Sequence, residues 1–330
     1  MKIFLILYPM LAIGAGPEVD PARLSGFQPL PPAMESRKNP ITDAKIRLGR
    51  MLYYEKRLSR NRDISCNTCH LLNRFGVDGE QFSTGYKNQK GGRNAPTVYN
   101  AAGHVAQFWD GRAADVEEQA KGPVLNPVEM AMPDSRSVAA VLKSIPEYGP
   151  LFAQAFPGEA DPVTFDNMAK AIAAFERKLV TPSRWDRFLQ GDRNALNARE
   201  KAGFTKFTET GCQMCHNGPF VGGKVFQKLG LAKPYPDKAD QGRAAVTRQT
   251  GDEMVFKVPS LRNVEKTGPY FHNGSATTLP AAVRNMAEYQ LGKKLSDGDV
   301  NDIVAWLATL TGEIPAEYIK EPVLPRGKTL

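Results

Sequence analysis

Two short strings carry most of the chemistry open to this chain: CNTCH at Cys66–His70 and CQMCH at Cys212–His216. Together they use all four cysteines and two of the four histidines. Two thiols three positions apart can each form a thioether to one edge of a haem, and the histidine that follows then lies beneath the iron as proximal ligand. A redox dithiol or half of a zinc site would also use a cysteine pair. Neither explains a histidine directly after the second cysteine on both occasions. The motifs predict two covalent c-type haems, attached through Cys66, Cys69, Cys212 and Cys215, with His70 and His216 as proximal ligands.

The segments that must position these motifs repeat. KIRLGRMLYY (45–54) precedes the first and KAGFTKFTE (201–209) the second, both reading as amphipathic helices. Downstream, Pro96-Thr97-Val98-Tyr99-Asn100 matches Pro259-Ser260-Leu261-Arg262-Asn263. Thirteen residues past each proline stand WDGRA, from Trp109, and HNGSA, from His272, with no gap between the copies. This spacing predicts internal duplication: a mainly α fold of two helical domains of one cytochrome c type, each with one haem. Carried fourteen residues further, the match sets Pro123 opposite Met286. Met286 lies in LPAAVRNMAEYQ, a helical pattern, and a thioether is a known sixth ligand to haem iron. Most helical methionines are core, but the repeat favours ligation here. Pro123 has no atom that binds iron. One haem is therefore expected to be saturated by His216 and Met286, and the other to be open above His70. An electron store beside a reactive iron is the layout of a haem enzyme.

Between the motifs, VAAVLKSI, PLFAQAF and TFDNMAKAIAAFERKLV carry apolar residues at helical spacing. Thr181-Pro182-Ser183 reads as the domain junction, giving domains 17–180 and 181–330. The tail after Gly312, with prolines at 315, 322 and 325, reads as extended and superficial. The first 16 residues read as a secretory signal peptide: Lys2, the apolar run IFLILYPMLAI, then small residues. The run is too short for a membrane span, so a periplasmic location is expected. Net charge is +8. Loss of Lys2 with the leader and ionisation of four haem propionates would reduce it to about +3, which argues against nucleic-acid binding.

These residues resemble the bacterial di-haem cytochrome c peroxidases over nearly the whole chain. The strings that carry the resemblance are CNTCH, GGRNAPTVYN, AQFWDGRAADVEEQAKGPVLNPVEM, CQMCH, and VPSLRNVEKTGPYFHNGS followed by Met286. The resemblance implies reduction of hydrogen peroxide to water with electrons from a small periplasmic donor, a cytochrome c or a cupredoxin. It implies that Glu129 is the acid/base residue above the peroxidatic haem and that Gln119 is a distal-pocket hydrogen-bonding residue. A carboxylate there can take a proton from one peroxide oxygen and return it to the other, and burial would raise its pKa. Trp109 matches a tryptophan between the haems. A calcium ion between the domains is implied, with Asn94 as side-chain ligand and Thr267 and Pro269 as carbonyl donors, oxygen ligands suited to a hard cation. The family is often homodimeric. His272 is read as a group near the haem or the interface, and His104 as a solvated or packed histidine.

One position departs from the pattern. Many members carry a distal histidine sixteen residues after the first proximal one, on a loop that caps the iron at rest. Here that position is Tyr86, and the loop FSTGYKNQK holds no histidine. Either the iron is open or water-bound, which is the favoured reading, or Tyr86 binds it as phenolate. A second branch of the superfamily oxidises a partner protein through the interhaem tryptophan and uses tyrosine as sixth ligand. Tyr289, one turn after Met286, keeps that alternative in view. A non-enzymatic di-haem electron carrier is a third. Met286 favours the peroxidase, and Glu129, Gln119 and the missing ligand at the first haem oppose the carrier.

Overall fold

The structure, a computed structural model, describes residues 18–327; the expected signal peptide lies outside the described residues. Thirteen α helices are described: α1 (Pro21–Leu24), α2 (Asp43–Tyr54), α3 (Cys66–Cys69), α4 (Val116–Leu125), α5 (Ser135–Lys143), α6 (Tyr148–Ala155), α7 (Phe165–Glu176), α8 (Arg184–Leu189), α9 (Ala198–Thr210), α10 (Ala244–Thr247), α11 (Leu279–Asn285), α12 (Asp297–Ala308) and α13 (Ala316–Ile319). The fold is mainly helical, with one small antiparallel pair, β1 (Phe226–Lys228) and β2 (Val255–Lys257), in which Gln227 faces Phe256.

The helices begin where the sequence supplies caps. Thr42 Oγ1 accepts from Lys45 N, Thr164 Oγ1 from Asn167 N, and Asn197 and Glu200 cap one another at α9. Each motif follows one helix of a crossed pair. In the first pair α2 lies across α7, burying Leu48, Leu52, Tyr53, Ile172 and Phe175; in the second α9 lies across α12, burying Phe204, Phe207, Ile303 and Trp306. Both crossings are tight because a glycine sits at the contact. A Cβ on Gly49 would overlap the carbonyl oxygen of Ala171, and one on Gly203 that of Asp302.

The two halves present matched local geometry at positions 163 apart. Asn100 and Asn263 both have positive φ, and each donates Nδ2 to the same hydroxyl, Thr181 Oγ1, at 2.9 Å. Gln107 bridges to Ala113 as Tyr270 does to Ala276. The halves also exchange bonds: Asn94 N donates to His272 O, and Lys257 N donates to Trp109 O, each at 2.7 Å. Nearby, the fully buried Arg262 guanidinium grips the Asp186 carboxylate at 2.7 and 2.9 Å and donates to Pro219 O. Such a pair is stable in an interior because both partners' polar atoms are satisfied.

The tail is not superficial, contrary to the sequence reading. Ile319 enters the core of the first pair, with Ile314, Tyr318 and Leu324 packed against it. Tyr318 stacks on Phe175 at 5.1 Å and donates its hydroxyl to Phe175 O, while Tyr54 donates to Ile319 O. Prolines are compatible with this path because side-chain donors, not a sheet ladder, satisfy its carbonyls. The opposite end behaves likewise: Val19 and Phe27 are buried in the core of the second pair. The Gly49→Ala variant is expected to lose about 1–3 kcal/mol of stability through overpacking at the α2–α7 contact. Denaturant unfolding of the purified protein checks this, and an unchanged midpoint would show that the helices separate without cost.

Candidate active site

The first motif opens onto a cavity of about 680 Å³. Cys66, Cys69 and His70 line one side, and Gln119, Pro123, Asn126 and Glu129 also line it. His70 Nδ1 donates to Gly76 O at 3.3 Å, which leaves Nε2 as the nitrogen free to bind a metal. Burial lowers the His70 pKa, so the imidazole is neutral and its lone pair available. At the second motif His216 Nδ1 donates to Val221 O at 3.4 Å, and burial pushes its pKa down to about 4. These residues fit a c-type haem at each motif: two thiols on one helical turn, a neutral imidazole oriented by a carbonyl, and at the first motif a cavity beside them.

Gln119 comes from α4, whose N-terminus is capped by the Asp115 carboxylate. Glu129 follows the turn after that helix. Asn126 Nδ2 donates to Glu129 Oε1 at 2.7 Å, and among the described residues nothing donates to the second carboxylate oxygen. Burial raises the Glu129 pKa, opposed by the Arg112 charge and the Asn126 bond. A buried carboxyl whose pKa is raised is better suited to take up a proton and give it back than a solvated one. Arg112 also lines the cavity and stacks 3.5 Å over the Phe108 ring.

Trp109 and His272 line the cavity together, their rings 6.4 Å apart edge to face. Trp109 Nε1 donates to Asn94 O at 2.9 Å, and His272 is buried against Phe256 at 4.2 Å. Arg93 fixes this wall by holding Asp110 and Asp240 at 2.5–2.7 Å. Asn94 is buried, and its Nδ2 donates to the carbonyls of Glu80 and Gln81. Among the described residues nothing donates to Asn94 Oδ1 or to the carbonyls of Thr267 and Pro269. The described residues contain no group of three or more His, Cys, Asp or Glu that could hold a metal ion.

Tyr86 does not line this cavity. Its ring lies near the cations of Arg60 and Lys87, and its N–H donates to Glu129 O at 2.8 Å. Met286 is half-buried where α11 passes into a π turn, Met286–Gln290, a local form that recurs at functional positions. Tyr289, in the same turn, packs edge to face on Tyr235 at 5.3 Å. His104 is a packed histidine: its Nδ1 pairs with Lys257 Nζ at 3.2 Å, and burial drives its pKa well below the usual value.

One cavity residue escaped the sequence reading. Glu176 lies on the buried face of α7, 6% exposed, and lines the cavity. Burial, followed by the Glu117 charge, pushes its pKa up to about 8 against the pull of Arg177. The signal was available, since Glu176 stands four residues after Ile172 on an apolar stripe. Paired helices carrying CxxCH turns, each with a histidine presented by a carbonyl, define a c-type haem protein.

A family model described as di-haem cytochrome c peroxidase matches residues 43–194. The chain is 47% identical to the cytochrome c551 peroxidase of Pseudomonas aeruginosa, over 91% of this chain and 87% of that protein. It is 49% identical to the cytochrome c551 peroxidase of Nitrosomonas europaea, over 84% and 82%. The crystal structure of a MauG-like protein associated with microbial copper homeostasis superposes with a TM-score of 0.79 at 28% identity, covering 89% of this chain and 97% of that one. The chain belongs to the di-haem cytochrome c peroxidase family, whose name implies two haems.

A carboxyl raised in the folded state supports stability below its unfolded pKa of about 4.3, and that support is lost as pH rises through the folded value. For Glu176 the window runs up to about 8. Glu176→Gln is expected to flatten the decline of the thermal midpoint between about pH 5 and pH 8. A wild-type slope in the variant would show that Glu176 titrates normally in the folded protein.

Proposed function

We propose that this chain reduces hydrogen peroxide to water with two electrons taken singly from a small redox protein. The observation that carries the reading is the joint lining of one cavity by His70, Gln119 and Glu129, with Pro123 where the repeat places Met286 at the second motif. A bound haem supplies the electrons and the electrophilic iron for breaking the O–O bond. His70 would hold it through Nε2, the ring nitrogen left free by the Nδ1 bond to Gly76 O. Gln119 orients peroxide through its amide. The free oxygen of Glu129 takes the proton from the nearer peroxide oxygen and delivers it to the farther one, which departs as water. Asn126 holds the carboxylate in place for both transfers.

Two domains, 17–180 and 181–330, arise on this reading by internal duplication, supported by the glycine contacts, the paired asparagines on Thr181 and the exchanged backbone bonds. Each would carry one covalent haem. His216 and Met286 would hold the second haem, the expected point of electron entry, and Trp109 would lie on the route to the first. Calcium at Asn94, Thr267 and Pro269 would fasten the wall that holds Trp109. The first iron would be open or water-bound at rest, a reading supported by the absence of Tyr86 from the residues that line the cavity. The leader sends the chain to the periplasm; no helix among the described residues is long and apolar enough to cross a membrane.

Glu129→Gln is expected to retain both haems in the visible spectrum and to lose about 10²–10⁴-fold in kcat; near-normal turnover would remove Glu129 from the proton path. Met286→Leu is expected to lower the potential of one haem in a redox titration, and two unchanged potentials would exclude Met286 as a ligand.

A further inference from the structure

We propose that Glu176 is the site at which a proton enters the cavity together with the electron that reduces the first haem. This rests on the reading that a haem occupies the cavity beside Cys66 and His70. The peroxide chemistry leaves Glu176 without a task, since Glu129 and Gln119 serve the bond to be broken. Yet Glu176 lines the same cavity from the buried face of α7.

Every donor that faces its carboxyl is engaged elsewhere. From α2, Tyr53 donates its hydroxyl to His70 O at 2.8 Å. From α13, Tyr318 donates to Phe175 O at 2.8 Å. Arg177, next in the chain, gives Nε and Nη2 to Glu117 and Nη1 to Met34 O. Glu117 itself brings from α4 a second negative charge, not a donor. Cys66, from α3, would be a thioether with no proton to give. These are the titratable groups coupled to Glu176. Among the described residues no side chain donates to its carboxyl. A carboxylate left bare in an interior is costly, and a bound proton removes that cost.

An electron that reaches a haem in this cavity adds one negative charge where protein, not water, must screen it. A ferric centre carries one net positive charge and a ferrous centre none, so the carboxyl holds its proton more weakly before the electron arrives than after. The exchange balances one for one. Ferric iron takes one electron from the external donor and becomes ferrous, while the Glu176 carboxylate takes one proton from solvent and becomes the acid. Reoxidation of the iron by peroxide returns that proton to a cavity whose chemistry consumes protons. Electron and proton then strengthen one another's binding by the same factor. Burial already pushes the Glu176 pKa up to about 8, which sets the range in which the coupling is read.

The test is a redox titration of both haems in the holoenzyme, followed in the visible spectrum from about pH 6 to pH 9. At a fixed applied potential, the ferrous-to-ferric ratio of one haem is expected to fall by up to about tenfold per pH unit as pH rises. Glu176→Gln is expected to abolish that slope and hold the ratio at its low-pH value. Glu176→Asp is expected to keep a slope in a displaced range, and Glu129→Gln to keep the wild-type slope. Proton uptake by the wild type in weak buffer needs no variant and is expected to accompany reduction of that haem. The proposal is overturned by a wild type without a slope, a wild-type slope in Glu176→Gln, a slope lost in Glu129→Gln, or reduction without proton uptake. Peroxide turnover of the same samples with a small reductant separates the two readings. Turnover without a slope removes Glu176 alone. A slope without turnover keeps the proton site and removes the peroxidase, and a chain that binds no haem at the first motif removes both.

Discussion

The exchange of two backbone hydrogen bonds, Asn94 to His272 and Lys257 to Trp109, is the constraint on which the rest of this molecule depends. Each half lends the other a carbonyl at the residue that follows its proline-led loop by the same interval. The bonds set the indole and the imidazole side by side on the wall of the cavity. Thr181, accepting from an asparagine of each half, pins the same relation from behind. Buried amide bonds of this kind tolerate little displacement, because a separated donor would find no water to replace its partner. The relation between the Trp109 and His272 segments is thereby held by the backbone and does not depend on side-chain rotamers.

Within that frame the protein treats its buried acids differently. Glu129 is given one donor, Asn126, and a distant arginine, so it is poised. Glu117 is paired with Arg177 through two oxygens and is fixed as a charge. Glu176 has neither, and burial keeps its proton on. Three carboxylic acids on two neighbouring helices and the turn after them thus stand as a raised acid with one donor, a paired anion and a neutral group. Their surroundings, not their chemical type, make the difference. Lys257 and His104 are the basic counterpart: one ammonium, pushed down to about 8 by burial, rests on one neutral imidazole.

Much of this was legible in the residues. Cysteine spacing carries the haem-attachment reading, since thioether geometry tolerates few alternatives. The helical stripes of α2, α5, α6, α7, α9 and α11 were readable because each buries one face. Glu129 and Gln119 were legible only through the resemblance, as a loop glutamate carries no local signal of burial. Three features stayed hidden for physical reasons. The tail at 314–324 lacks periodicity, since its few apolar anchors are spaced to fit another element's surface and not to repeat. The π turn at Met286 has no propensity signature distinct from an ordinary helix. Glu176 was passed over because a charged residue at a helix end reads as solvated until the neighbouring elements are placed over it.

The crossed ends of the chain have a consequence for how it comes into being. Val19 and Phe27, among the first described residues, complete the second core, and Ile319, among the last, completes the first. Neither core is whole until almost the entire polypeptide is present. A chain threaded through a membrane from its N-terminus would therefore emerge with both CxxCH turns still loosely held. That interval, before Ile319 arrives to seal the hydrophobic layer behind Tyr54 and Phe175, is when thiols that the finished fold half-buries would be most open to the haem expected at these motifs.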